Sequence, residues 1–215
     1  AKRLTAASVS VSVAFLFFFK YYRFFAENLS RLPGVTVPII KGLVLPIGIS
    51  FYTFQIISYT VDVYRGTCAA QRSYISFGAY VTLFPQLIAG PIVRYHDIDG
   101  QLMERRETVA DFSGGVARFC AGLAKKVLLA NAAGEMWSLF AHRHGFADAY
   151  IGIFFFSMQI YFDFSGYSDM AQGLGLVFGF HFPDNFNYPY ISDSITDFWR
   201  RWHITLSSFF REYVY

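Results

Sequence analysis

Residues 42–61 read GLVLPIGISFYTFQIISYTV, a run of twenty positions without a charge, closed by Lys41 on one side and Asp62 on the other. About 20 apolar residues in a helix cross the hydrocarbon of a bilayer, so this run predicts a transmembrane span. Pro46 lies near its start, where neighbouring helices or water satisfy the freed carbonyl. A second uncharged run, residues 4–19, follows Lys2 and Arg3 and ends at Lys20, Tyr21, Tyr22 and Arg23. Those residues are the snorkelling cations and interfacial aromatics expected where a helix leaves lipid, and Lys20 makes up the missing length on its stem. A third run, residues 73–93, contains Pro85 and the pair Gly90-Pro91. Its second half predicts broken, re-entrant backbone that lines protein or a cavity.

Composition points the same way. Of 215 residues, 54% are hydrophobic and 20% aromatic, with 26 Phe and 15 Tyr, and only 15% are charged. A soluble domain has about a quarter charged. Lipid is therefore the predicted solvent and partner, and disorder, collagen and coiled coil are excluded. The net charge of +3 is too small, and its cations too scattered, for a nucleic-acid binder. Cys68 and Cys120 form no C-x-x-C pair, so they suggest packing residues and not a disulfide framework or a zinc site. The sequence opens at Ala1 and stops at Tyr215 inside an aromatic-rich pattern, which reads as a fragment truncated at both ends.

Residues 94–111 carry eight charges and read as the main polar loop. From Phe112 to Phe140, Arg118, Lys125, Lys126 and Glu135 interrupt an apolar pattern, which predicts short helices that dip into or lie at the interface. Residues 149–162 are strongly apolar and lead into Asp163 and Asp169, two acids inside hydrophobic sequence. At mid-bilayer each costs about 2.5–3.5 kcal/mol, so each needs a partner or a watery path. Ser165, Tyr167 and Ser168 can supply hydroxyl donors, making either a polar knot between helices or a substrate contact. After an Asn- and Pro-rich break at 183–189, Ser194 and Asp197 read as a capping box opening a last helix.

On that helix Ile195, Phe198, Trp199, Trp202, Leu206, Phe209 and Tyr213 fall on one stripe, opposite Asp197, Arg200, Ser207, Ser208 and Arg211. This predicts an amphipathic helix lying in the interface. His203 sits on the border of the two faces, as either a titratable group held for chemistry or a cap on the wet edge. His96, His142, His144 and His181 have no metal-ligand spacing with a convincing partner, so no metal site is expected.

The stretches FPQLIAGPIVRY at 84–95, YFDFSGYSDMA at 161–171, and NFNYPY at 185–190 followed by FWRRWH at 198–203 resemble the membrane-bound O-acyltransferase (MBOAT) family. The resemblance is strongest to members that O-acetylate a bacterial exopolysaccharide such as alginate, and it runs over nearly the whole chain. It implies an all-α, polytopic transmembrane helical bundle with re-entrant and interfacial amphipathic helices, of which residues 1–215 are the central part of a single domain. It implies a multi-pass protein of the bacterial inner membrane, with a tunnel bringing an acyl donor from the cytoplasm to an acceptor or relay protein outside. It also implies acetyl-CoA or another acyl thioester as donor, no permanently bound cofactor, and a periplasmic acetyltransferase partner acting on exopolysaccharide. Of the two histidines associated with the family's active site, one matches His203; the other belongs to a downstream Trp-His-Gly motif beyond residue 215. The fragment alone is accordingly expected to be inactive.

Residue chemistry fits this reading. Transfer from a thioester to an alcohol needs a base, and imidazole suits the task, which makes His203 the catalytic candidate. Arg94, Arg200 and Arg201 are candidates for the diphosphate of coenzyme A or a phosphopantetheine arm, or are interfacial anchors; Asp163 is a further candidate for substrate or donor binding. The competing readings are a D-alanyl transferase of the teichoic-acid type and a non-enzymatic transporter whose acids line an ion path. With three simple spans, seven cations on one side face four on the other, which places the first side in the cytoplasm.

Overall fold

In the computed structural model the described residues are 1–40, 42–87 and 90–215, and among them the chain is helical with no strand. It divides into two compact units, Ala1–Ile88 with Arg94–His96, and Ala89–Val93 with Asp97–Tyr215.

The first unit opens with α1 (Lys2–Leu29), a helix free of Gly and Pro whose rings pair at one-turn spacing, as in Phe15 with Phe19 and Phe18 with Tyr22. Only Ala26 is buried, so its aromatic surface faces outward. Among the described residues it is the one helix long and apolar enough to cross a membrane. It packs on α2 (Ile49–Arg65), which lies several residues further along the chain than the helix expected over 42–61. Pro46 has no N–H to give, and Gly48 adopts the left-handed conformation (φ 74°), so the helix begins only at Ile49 and runs past Asp62. Seventeen residues make about 25 Å, at the lower end of the ~17–25 residues that span hydrocarbon. Asp62, read from sequence as the wet end of that span, is buried and held by His96 Nδ1 at 2.8 Å.

α3 (Tyr74–Val81) is capped by Ser73, whose hydroxyl accepts from Ser76 N at 3.2 Å, and it gives way to turns before Pro85. The helical first half and broken second half of this run are as expected; residues 88 and 89, next to Gly90-Pro91, lie outside the described residues. The polar loop at 94–111 holds a helix of its own, α4 (Tyr95–Glu104). Charge spacing alone gave no hint of it.

In the second unit, α5 (Val109–Ala124), a π-helical turn over Lys125–Ala130 and α6 (Asn131–Phe140) follow one another without leaving helical backbone. The short interfacial helices expected over 112–140 are therefore replaced by one long element, which packs antiparallel along α7 (Phe146–Val177). The cause is glycine. Gly115 and Gly122 lie two turns apart on α5, Gly166 and Gly173 two turns apart on α7, and they meet in pairs. A Cβ on Gly122 would stand 2.5 Å from Gly166 O, and one on Gly173 would stand 2.6 Å from Gly115 O. Backbones approach this closely only where no side chain intervenes. Further along, Gly152 admits the Trp137 ring against α7.

The last expected helix is broken in two, α8 (Ile195–Arg201) and α9 (Ile204–Tyr213), with Trp202 and His203 in the gap. Ser194 caps α8 as predicted, accepting from Asp197 N at 3.1 Å.

Substituting Gly122 by Leu should separate α5 from α7, because the new side chain meets backbone and not a movable group. We expect a thermal midpoint lowered by several degrees, or loss of folded protein, in detergent-solubilised full-length protein. Gly114→Ala, where a Cβ meets nothing within 4 Å, should leave the midpoint unchanged in the same assay.

Candidate active site

The sequence stretches around Asn185 and around His203 pair with each other. Asn187 N donates to Arg201 O at 2.9 Å and Ile204 N donates to Asn185 O at 3.0 Å, with Phe186 and Trp202 facing each other as an antiparallel bridge between the two bonds. Satisfying these groups across the chain takes Trp202 out of the helix (φ −103°, ψ 125°) and turns His203 left-handed (φ 45°, ψ 55°). A continuous amphipathic helix is thus excluded, and with it the position of His203 on the border of two faces. A non-glycine residue in this region stores about 1 kcal/mol or more, which the surroundings must offset. They do so with aromatic packing: Trp202 stacks on Phe198 (centroids 5.6 Å apart, planes at 16°) and takes the edge of Phe186 at 5.1 Å. Buried Asn185 adds a second clamp, its Oδ1 accepting from Thr205 N at 3.3 Å and from Thr205 Oγ1 at 2.9 Å. Thr205 Oγ1 in turn accepts from Ile92 N at 3.0 Å.

His203 lies with its ring edge-on to Phe164 at 4.9 Å. Its Nε2 is buried and, among the described residues, has no hydrogen-bond partner. Burial disfavours the imidazolium and lowers its pKa from 6.5 to about 4, so the ring is neutral at pH 7. A neutral imidazole with an unpaired nitrogen is the form that accepts a proton.

A cleft of about 710 Å³ is lined by Ile204, next in sequence, but not by His203 itself. One face of α7 supplies Tyr161, Ser165, Ser168, Asp169 and Gln172, at the three- and four-residue spacing of a single helical stripe. Ile204, the neighbour of His203, lines the opposite part, together with residues of the 183–188 segment. The carboxylate of Asp169 takes Arg118 Nε at 3.1 Å and Lys125 Nζ at 2.5 Å, and Arg118 Nη2 continues to Asp184 Oδ1 at 2.6 Å. The hydroxyl knot expected around the α7 acids is corrected: their partners are cations brought by the glycine contact, and Asp163 pairs with Lys126. Ser165 and Ser168 instead keep buried hydroxyls that have no partner among the described residues.

Of the other candidates, Arg201 serves the fold, donating to Asp197 Oδ2 at 2.7 Å and reaching Asn187 O at 3.5 Å. Arg200 is exposed at the end of α8, Arg94 belongs to the first unit, and half-exposed Asp163 does not line the cleft. Sequence reasoning missed Arg118, Lys125, Asp184 and Asn185. The available signal was the matching seven-residue spacing of Gly115 with Gly122 and of Gly166 with Gly173, which puts Arg118 and Lys125 opposite the acids.

The profile of MBOAT, the membrane-bound O-acyltransferase family, matches residues 68–215, which hold the whole of this site. The chain belongs to that family. This MBOAT chain is 46% identical over its full length to "Probable alginate O-acetylase AlgI" of Azotobacter vinelandii, of which it covers 44%. Over 95% of its length it is 36% identical to "Peptidoglycan O-acetyltransferase" of Helicobacter pylori, covering 44% of that protein. Over 97% it is 30% identical to "Teichoic acid D-alanyltransferase" of Bacillus subtilis, covering 53%. The chain therefore spans about half the length, or less, of these curated relatives.

Asp169, with two cations and a side chain only 19% exposed, should matter more to folding than Asp163, whose side chain is 50% exposed on one cation. Asp169→Ala leaves Arg118 and Lys125 facing each other and should lower the thermal midpoint clearly; Asp163→Ala should change stability by about 0.5 kcal/mol or less. Side-by-side melting of the two variants checks this order.

The His203 shift has a definite sign. Above pH 6.5 the ring is neutral folded and unfolded and contributes no pH dependence. Between pH 6.5 and about 4 the unfolded chain binds a proton that the folded chain refuses, so stability falls as pH falls through that window. Nitrogen-15 spectra of labelled histidine at pH 6 should show His203 neutral, and His203→Gln should remove this part of the acid destabilisation.

Proposed function

We propose that this chain is the central part of a single-domain, polytopic α-helical acyltransferase of the bacterial cytoplasmic membrane. In this reading the protein moves acetyl groups from a thioester donor, acetyl-CoA or an equivalent, toward hydroxyls of an extracytoplasmic polysaccharide such as alginate. A periplasmic acetyltransferase partner completes the delivery. The observation that carries the reading is His203: neutral, with Nε2 buried and unpaired, and fixed in a left-handed conformation by the pairing of two sequence motifs. Left-handed backbone at His203, and also at Tyr188 in the cleft lining, is the kind of retained strain that supports a site kept for chemistry. The relatives named as O-acetylating enzymes support acetyl as the group moved.

In the proposed step His203 Nε2 takes the proton of the acceptor hydroxyl as its oxygen attacks the thioester carbonyl carbon. The carbon–sulfur bond then breaks and the departing thiolate takes the proton back from the His203 imidazolium, which returns to neutral. The ring is neutral at working pH, the protonation state from which a general base starts. The second reading, transfer of D-alanyl from a carrier protein, is favoured by the likeness to the teichoic acid enzyme. A transporter reading has less support, since Asp163 and Asp169 are already occupied by lysine and arginine.

The test is made in membranes holding the full-length protein, with radiolabelled acetyl-CoA. His203→Ala should cut labelling about 10²-fold or more at equal protein abundance, while His203→Gln keeps part of the activity if the ring only positions a group. Unchanged labelling in His203→Ala defeats the catalytic role. Labelling only from D-alanyl carrier establishes the second reading in its place, and ion flux without acyl transfer the third.

A further inference from the structure

The cleft lined by Ile204 contains an arginine arranged for an oxyanion. Arg118 is anchored through Nε to Asp169, which is largely buried and also held by Lys125. Arg118 lines the cleft, and its Nη2 meets Asp184, whose side chain is 67% exposed. Among the described residues Nη1 has no acceptor. A pair as exposed as Arg118 with Asp184 is screened by water and contributes little, so the Asp184 carboxylate is the replaceable member of the network. When it swings out, the cleft holds two cations against one anion. Two further groups call independently for a ligand: Ser165 and Ser168 line the same cleft, each is 2% exposed, and among the described residues neither hydroxyl has a partner. Buried hydroxyls left unpaired are destabilising, and an acceptor atom in the cleft removes that penalty.

We propose that this cleft is a binding site for an oxyanion, a phosphate or carboxylate group. Arg118 Nη1 and Nη2 and Lys125 Nζ hold the anion, Ser165 and Ser168 donate to it, and Asp184 occupies the place of the anion until it arrives. The forked guanidinium with its Nε anchored is the geometry that recognises such groups through two bonds. Under the acyl-transfer reading two sources share this chemistry, the diphosphate of a thioester donor and the carboxylate of a uronic acid. The site is separate from Arg94, Arg200 and Arg201, none of which lines the cleft.

The experiment measures binding to the full-length protein in detergent, by calorimetry, without turnover. Inorganic pyrophosphate, coenzyme A and a short oligomer of mannuronate are the probes. The expected result is saturable binding of at least one probe, with opposite effects from two variants. Asp184→Asn removes the competing carboxylate at an exposed position and should tighten binding about threefold or more, while Arg118→Lys keeps the charge, loses the fork and should weaken it about tenfold. Ser165→Ala with Ser168→Ala should weaken it as well. Coenzyme A binding competed by pyrophosphate assigns the site to the donor; binding of the mannuronate oligomer assigns it to the polymer. No binding of any probe, or binding that Asp184→Asn leaves unchanged or weakens, overturns the proposal. His203→Ala should retain binding, so a failure of the transfer reading is distinguishable from a failure of this one.

Discussion

The second unit depends on the contact of glycine with glycine between α5 and α7. Two such pairs let backbone touch backbone at Gly115 with Gly173 and at Gly122 with Gly166. Close van der Waals approach of the two backbones, and the polar bonds it permits, supply the association. Here the approach also sets the electrostatics. Arg118 and Lys125 are carried within bonding distance of Asp169 because no side chain stands between the helices. The π-helical turn beginning at Lys125 keeps adjacent Lys126 on the same side, where it meets Asp163. Charges that read separately as interruptions of an apolar pattern become a neutralised set once the two helices touch.

The second dependence runs through the pairing of 185–187 with 201–204. An isolated sequence of this amphipathic pattern favours a continuous helix, and the structure gives up that continuity for two cross-chain backbone bonds, a stacked Trp202 and the Asn185 clamp. The outcome is a histidine whose backbone is fixed by remote partners, so its ring has a defined direction without a hydrogen bond of its own. Pre-organisation of this kind keeps a reactive nitrogen unpaired, which an ordinary helical histidine on a wet edge cannot do. It also explains physically why two separated motifs occur in one chain: each is half of one local structure.

The first unit contains the helix suited to a membrane, α1, and a helix, α2, that carries a buried acid near its end. The pair of Asp62 with His96 and the rings of Tyr59, Tyr80 and Tyr95, with centroids 5.0 and 5.2 Å apart around Tyr95, tie α2 to the start of α4. A carboxylate in such a place requires a partner, and the partner comes from a segment that sequence alone assigned to solvent.

The sequence by itself determined the helical class, the length and apolar surface of α1, the cap of Ser194, the break after α3 and the family, because these rest on composition, local propensity and long motifs that need no neighbour to be read. His203 was legible as the residue to watch for the same reason. The tertiary structure alone decided that 112–140 forms one long element against α7, that α2 starts at Ile49, and that α8 and α9 are separate. It also decided that Asp169 meets cations and not hydroxyls. Each of these turns on a partner distant in the chain. Periodicity reports which face of a segment is apolar, but not which backbone lies across from a glycine or which carbonyl a remote N–H will reach.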